Sequence, residues 1–400
     1  MKPLEGVRVV ELSTMITASF AAMMMAEQGA EVVKVEPLDL GDPMRLLGSM
    51  KGGMSSLFAN CNRGKQSLRI DVKSEQGRDM VQQLVDEADV LLCNYRPGVM
   101  DGLGLGSDVL RGSNPRLIYM AISGFGLEGP ERNTPAYDPV IQAQCGFTAV
   151  QAEGHVDPAA FVRNLTCDKV TAYTACQAVT AALYQREKTG QGQHIDLSMM
   201  DAGLYFLFPD GFMQHTLLDD DVLHVPPLSQ LIYDLTHTKD GGITISASTE
   251  AQRVGMLDAI GLLPLMADER FNSPEKLMVN LEELRNLMAD AFAEFETEEI
   301  LAKLKANDVP AAKCMDYADV LDHPQYAANQ TIDEFAHPRV GRMRRVKPPA
   351  QFGGERLTPA SDSPSHGEHT ASVLAGLGLT QAQIDGLRDA GIVAFEQEDV

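Results

Sequence analysis

The chain has no tryptophan, only 6% aromatic residues, and no hydrophobic run near the length of a membrane helix. A span needs about 20 consecutive apolar residues, so no helical membrane segment is expected. Cationic residues are also scarce: 33 Lys and Arg stand against 56 Asp and Glu, a net charge of −23. A surface of that sign repels polyanions, which argues against nucleic acid or an anionic membrane as partner. The six cysteines (Cys61, Cys93, Cys145, Cys167, Cys176, Cys314) are scattered without a Cys-x-x-Cys pair. That pattern fits reduced thiols, with neither a disulfide framework nor a metal site expected. The opening carries Glu5 and Glu11 where a secretory signal would need an apolar core, so a cytoplasmic location is the expectation.

What is there is 400 residues with 44% hydrophobic and 22% charged content, the balance of a globular protein of two domains. Residues 7–12 read as a buried strand, 18–28 as a helix capped by Ser13 or Thr14 and ended by Gly29, and 31–36 as a second strand. This βαβ unit implies parallel pairing. Strand patterns at 67–72, 89–94 and 116–122, with a helical one at 76–87, extend it to a doubly wound, Rossmann-like α/β domain. After residue 210 the pattern changes to a hairpin over 231–236 and 243–247, then helices near 250–261, 281–295 and 297–306, a smaller α+β domain. Two closing helices, 370–377 and 380–390, follow a Pro/Gly-rich stretch. The expected division is a large domain of 1–205 plus 330–400 and a small one of 228–325, with linkers at 206–227 and 326–360.

A βαβ opening invites a dinucleotide. Yet the first turn, Leu12-Ser13-Thr14-Met15-Ile16-Thr17, has none of the glycines that let pyrophosphate approach the backbone, and no Walker loop occurs. No tightly bound cofactor is expected. Cys145 lies in an apolar stretch that suits an inert thiol. Two basic runs break the acidity. Arg63-Gly64-Lys65 with Arg69 and Lys73 could hold a small anion, whereas Arg342, Arg344, Arg345 and Lys347 read as solvated surface. Asp168 opens an alanine-rich helix that stops at Gly190. In the first turn it would cap unpaired N–H groups and be kept ionised by the helix end, and a nucleophilic carboxylate needs the same setting.

The order and spacing of several segments carry a resemblance. They include Leu4-Glu5-Gly6-Val7-Arg8-Val9-Val10-Glu11-Leu12, Asn62-Arg63-Gly64-Lys65, Asn94-Tyr95-Arg96-Pro97-Gly98, Ser123-Gly124-Phe125-Gly126 with Gly129-Pro130, and Thr189-Gly190-Gln191-Gly192-Gln193. Through them the chain resembles, nearly end to end, the class III CoA-transferase family of the CaiB/BaiF type. The resemblance implies an acyl-CoA:carboxylate CoA-transferase, inter- or intramolecular, whose nucleophile is Asp168 and whose intermediate is an aspartyl-CoA thioester. It implies that Tyr137 and Asp138 line the substrate site. It further assigns CoA contacts to Asn94, Arg96, Pro97, Gly98, Gly124, Phe125, Gly126, Arg63 and Lys65. CoA esters and a small carboxylic acid are the implied substrates, and an interlocked-ring homodimer the implied assembly.

Two alternatives stay beside it. The α-methylacyl-CoA racemases of the same superfamily carry a His-Asp pair where this chain has Tyr137-Asp138. A phenol with a reference pKa of about 10 is a poor base for an α-proton. A CoA-binding homologue without activity is the other, because Pro37 and Gly102 stand where the family has cations. Ile16 replaces the glutamine of formyl-CoA enzymes, and 225–230 lack their glycine-rich loop, so neither oxalate nor formate is the expected acid.

Overall fold

The computed structural model describes residues 1–152, 160–225 and 235–396. Contacts divide the chain into two compact units, one of Met1–Ala149, Pro158–Phe208 and Gln325–Val400, the other of Val150–Asp157 and Pro209–Pro324.

The first unit is built on six strands: β1 (Arg8–Leu12), β2 (Glu31–Glu36), β3 (Lys65–Arg69), β4 (Val90–Cys93), β5 (Ile118–Ser123) and β6 (His194–Ser198). They pair side by side in the order β3-β2-β1-β4-β5-β6, all parallel, so the protein is a mixed α/β fold on a central parallel sheet. The short, almost continuously apolar strands follow from burial on both faces. On one face Val10, Leu12, Leu91, Cys93 and Tyr119 pack with Val81 and Val85 of α3 (Glu75–Asp86) and with Leu374 and Ile384 near the C-terminus. Against the other face lie α1 (Ile16–Glu27) and α5 (Thr166–Thr189), which also pack on each other. Ala18, Ala21 and Ala22 on α1 and Ala172 and Ala175 on α5 are fully buried, and such small side chains let the two helices approach closely. Between them in sequence come α2 (Ser56–Asn62) and α4 (Asp138–Cys145).

Two readings change here and a third holds. Strand β6, His-Ile-Asp-Leu-Ser, was not anticipated, because its alternating polar pattern hides a strand at the sheet edge. Helix α1 starts at Ile16 behind Met15 (φ 62°) with no side-chain cap, since the Ser13 hydroxyl is bonded to Glu11 instead. The 342–345 arginines lie on a hairpin strand, Gly341–Val346, paired with Ile332–His337, where they meet Glu334 and Asp333 across the ladder. That is the surface role expected of them.

The second unit carries a three-stranded antiparallel sheet of Thr236–His237, Gly242–Ile245 and Ala311–Lys313, with Gly242–Ile245 central. Helices Glu250–Ala259, Leu281–Ala293 and Thr297–Ala306 surround it, and Ile243, Phe292, Ile300, Leu304 and Val309 form its core. The first arm of the expected hairpin, 231–234, and the segment 226–230 lie outside the described residues. No described helix is long and apolar enough to cross a membrane.

Candidate active site

In a doubly wound sheet, ligands lie beyond the carboxyl ends of the strands where the order reverses, here between β1 and β4. A cleft of about 240 Å³ opens there. One rim is the turn after β1 (Thr14, Met15, Thr17); the other is the turn after β4 (Asn94 to Pro97). Ile122, Ser123 and Gly124 at the end of β5 form another side, Arg132 and Thr134 to Tyr137 follow, and Asp168 projects from the first turn of α5. Gly124 is dictated by space: a Cβ there would come within 2.3 Å of Ala136 Cβ.

Asp168 is only 9% exposed. It is the third residue of α5, not its cap, and the N-cap position, Leu165, offers no side-chain acceptor. The cap comes from another element: Asp138 Oδ2 accepts the Asp168 backbone N–H at 3.0 Å. Asp138 is 2% exposed and its other oxygen accepts from Gln142 Nε2 at 2.5 Å. Gln142 Nε2 also donates to Asn164 O (3.0 Å), so α4 grips the strand of chain that leads into α5.

The second carboxylate changes the electrostatics. Burial pushes the Asp168 carboxyl up to about 7, Asp138 adds to the rise, and Lys169 opposes it. The expectation that the helix end alone keeps Asp168 fully ionised is thus corrected. Desolvation and a like charge outweigh the dipole, so near neutrality the group exists in both forms. An Asp138→Asn variant keeps an acceptor for the Asp168 N–H but removes the repulsion. Its pH–rate profile should have its acid limb at lower pH than the wild type, and an unmoved limb would rule out Asp138 as the tuning charge.

The other predicted residues are distributed unevenly. Tyr137 (66% exposed), Arg96, Pro97 and Gly124 line the cleft, whereas Asp138 lies behind it rather than in its wall. Asn94 lines it but is committed to scaffolding, its amide donating to Thr14 O (2.6 Å) and Thr17 Oγ1 (2.9 Å) and accepting from Thr14 N (3.0 Å). Gly98 (φ 84°) precedes the short Val99–Gly102 helix, and Gly126 N–H donates to Ser123 Oγ; these two and Phe125 stand outside the cleft wall. Lys65 is a correction. It is fully buried, its ammonium donating to Glu11 Oε2 (2.7 Å), Ser19 O (2.8 Å) and Asn62 Oδ1 (2.7 Å), so no donor is left for CoA. Arg63 likewise pairs with Glu27 (2.5 Å) away from the cleft.

Lys65 belongs to a charged cluster that sequence reading missed. Lys34 Nζ lies 2.6 Å from Glu11 Oε1 and 2.8 Å from Asp42 Oδ2, all three side chains fully buried. Burial alone would raise the Glu11 carboxyl, but Lys34 and Lys65 overcome it and hold it well below the usual range. Asp42 Oδ1 in turn accepts the N–H of Met15 (3.1 Å) and of Met44 (2.9 Å). The cluster therefore anchors the left-handed Met15 at the cleft rim. The only sequence signal was an acid and a base inside strands that are otherwise apolar.

A second cleft, about 250 Å³, continues along the ends of β2 and β3, lined by Glu36 to Asp39 and Ile70 to Lys73, and Tyr95 belongs to both. Among the described residues no group of acidic, His and Cys side chains is arranged to hold a metal ion.

The chain is thus an α/β protein with a buried carboxylate at the reversal point of its sheet and a second cleft beside it. The model of CoA-transferase family III matches residues 4–370, and the chain belongs to that family and is a CoA-transferase. It is 32% identical to the acetyl-CoA:oxalate CoA-transferase of Acetobacter aceti, over 82% of this chain and 85% of that one. It is 28% identical to human succinyl-CoA:glutarate CoA-transferase, over 98% and 90% of the two chains. The crystal structure of a CAIB/BAIF family protein from Brucella suis superposes with a TM-score of 0.82 at 30% identity, covering 94% of this chain and 99% of the other.

Proposed function

We propose that the chain transfers CoA between an acyl-CoA and a carboxylic acid through an aspartyl-CoA thioester on Asp168. The observation that carries this is the desolvated Asp168 carboxyl, raised to about 7, facing a cleft at the carboxyl ends of β1, β4 and β5. A carboxylate is a weak nucleophile in water; burial strips its hydration shell, and the rise in pKa makes the ionised form more basic. Asp168 attacks the thioester carbonyl, expelling CoA thiolate and forming a mixed anhydride. The thiolate then attacks the aspartyl carbonyl, giving the enzyme thioester and the first free acid. The incoming carboxylate reverses both steps and leaves as the new CoA ester, restoring Asp168.

The second cleft suits the nucleotide end of CoA, with Lys73 and Arg96 as the cations that stand in for those absent at Pro37 and Gly102. Tyr95, common to both clefts, marks the passage of the pantetheine arm. Mass spectrometry after incubation with a panel of CoA esters tests the reading. A CoA adduct should map to the peptide bearing Asp168 and be absent in Asp168→Ala. Measurable CoA binding with no adduct from any ester would favour an inactive homologue. Proton exchange at the α-carbon without acyl exchange would favour racemisation.

A homodimer is part of the same proposal. A groove of about 860 Å³, lined by Phe20, Met23, Met24, Tyr173, Tyr184 and Phe352, offers apolar surface that a second copy of the chain would cover. Light scattering should give a mass of about twice 43.4 kDa, and a monomeric mass at micromolar protein would reject the assembly.

A further inference from the structure

The cleft at Asp168 is lined by two arginines, Arg96 and Arg132, which come from different loops. Arg96 stands in the turn after β4, the side shared with the nucleotide cleft through Tyr95. Arg132 stands on the loop after β5, among the residues leading to Tyr137. In a chain with 56 acidic residues, neither arginine pairs with a carboxylate among the described residues. The nearest acid in sequence to Arg132, Glu131, accepts from Thr134 Oγ1 (2.5 Å) instead. Arg132 thus remains a free, planar, permanently charged donor at the cleft wall, a group matched in geometry to a carboxylate.

Resting on the transfer reading above, we propose that Arg132 is the specificity-determining residue for acids that carry a second, remote carboxylate: short dicarboxylic acids and their CoA half-thioesters. The reacting carboxyl is taken by Asp168 chemistry, so a cation elsewhere in the cleft needs an anion of its own. CoA brings phosphates, but those belong with the nucleotide cleft and Arg96. The acyl part is what is left to meet Arg132. A cleft of about 240 Å³, shared with the thiol end of CoA, has room for a short chain rather than a fatty one. In a ping-pong exchange the donor acyl group and the acceptor acid occupy the same subsite in turn, so one arginine serves both half-reactions.

Arg132 is exposed and makes no side-chain bond among the described residues, so replacing it leaves the fold intact. The experiment measures initial rates with wild type, Arg132→Met and Arg132→Lys, using acetyl-CoA as donor and succinate, glutarate, propionate or butyrate as acceptors. In Arg132→Met the KM for succinate and glutarate should rise roughly tenfold to 100-fold, while that for propionate and butyrate moves by less than about twofold. Arg132→Lys should recover part of the loss. The KM for acetyl-CoA should stay unchanged. An equal loss for mono- and dicarboxylates overturns the proposal, as does a rise confined to the KM of the CoA ester, which would make Arg132 a phosphate ligand. A wild type that prefers monocarboxylates yet forms the Asp168 adduct defeats this inference alone. A wild type that exchanges no acid and forms no adduct defeats the transfer reading, and this one with it.

Discussion

Asp168→Asn should abolish CoA transfer and, above neutral pH, make the protein more stable than the wild type. The loss of rate follows from removing the nucleophile, and by analogy with other covalent catalysts it should reach about 10⁴-fold or more. The gain in stability follows from linkage. The carboxyl is raised from 3.8 to about 7 in the folded protein, so the native state holds its proton more tightly than the unfolded chain does. That contribution is fully present below pH 3.8 and is lost as the pH rises to about 7; above that, a buried anion beside Asp138 remains as a standing cost. Asparagine carries no such charge. Melting temperatures across pH 4 to 8 should therefore coincide at the acid end and separate by several degrees at the alkaline end, with the variant higher. Two parallel curves would mean that Asp168 is ionised throughout and that burial does not shape its reactivity. The same titration predicts that wild-type turnover falls as the pH drops below about 7, because only the ionised form attacks.

Lys34→Met should be the most damaging change outside the cleft. The ammonium is fully buried between Glu11 and Asp42, and burial, which disfavours its charge, is outweighed by those carboxylates and Glu36, which raise its pKa. Taking one partner from a buried pair leaves the other charge without compensation, a loss of about 3–5 kcal/mol. Set against a typical stability of about 5–15 kcal/mol, that is a large fraction of the whole. Urea denaturation would measure it as a lower midpoint with an unchanged slope. Activity should fall as well in the molecules that remain folded, since Asp42 holds Met15 at the cleft rim. A midpoint within experimental scatter of the wild type would show that water or relaxation supplies what Lys34 does. Lys65, the other buried partner of Glu11, should be sensitive too: burial, opposed only in part by Glu11, brings its ammonium down to about 8, which still leaves it charged at neutral pH.

The sheet was legible because its strands announce themselves by composition. Val-Leu-Leu-Cys and Ile-Tyr-Met-Ala-Ile are apolar on both sides, and Val-Val-Glu-Leu is apolar but for Glu11, as a strand covered by helices requires. Strand β6 escaped because an edge strand keeps polar residues on its open side. Asp168 was legible as a first-turn acid, and Gly190 as the left-handed stop of the same helix (φ 75°). Tyr137 and Arg96 were found through the resemblance that the segments around them carry. Lys65 was misjudged for a specific reason. A lysine beside arginine and glycine looks like an exposed anion site, and only the arrival of Glu11 and Asn62 from distant positions turns it inward. Arg132 carried no signal, since an arginine in a Gly/Pro-rich loop has no periodicity to betray its neighbours.

By itself the sequence determined the order of elements, the parallel sheet and the place of one carboxylate at a helix start, because periodicity, apolar runs and glycine conformations act over a few residues. The tertiary structure alone decided the state of that carboxylate. Burial, with the charge of Asp138 added to it, raises the pKa of Asp168 where the helix dipole would have lowered it, and Asp138 lies thirty positions away in the chain yet accepts its backbone N–H. Coulomb energy and desolvation depend on distance through space, which residue spacing along the chain does not encode.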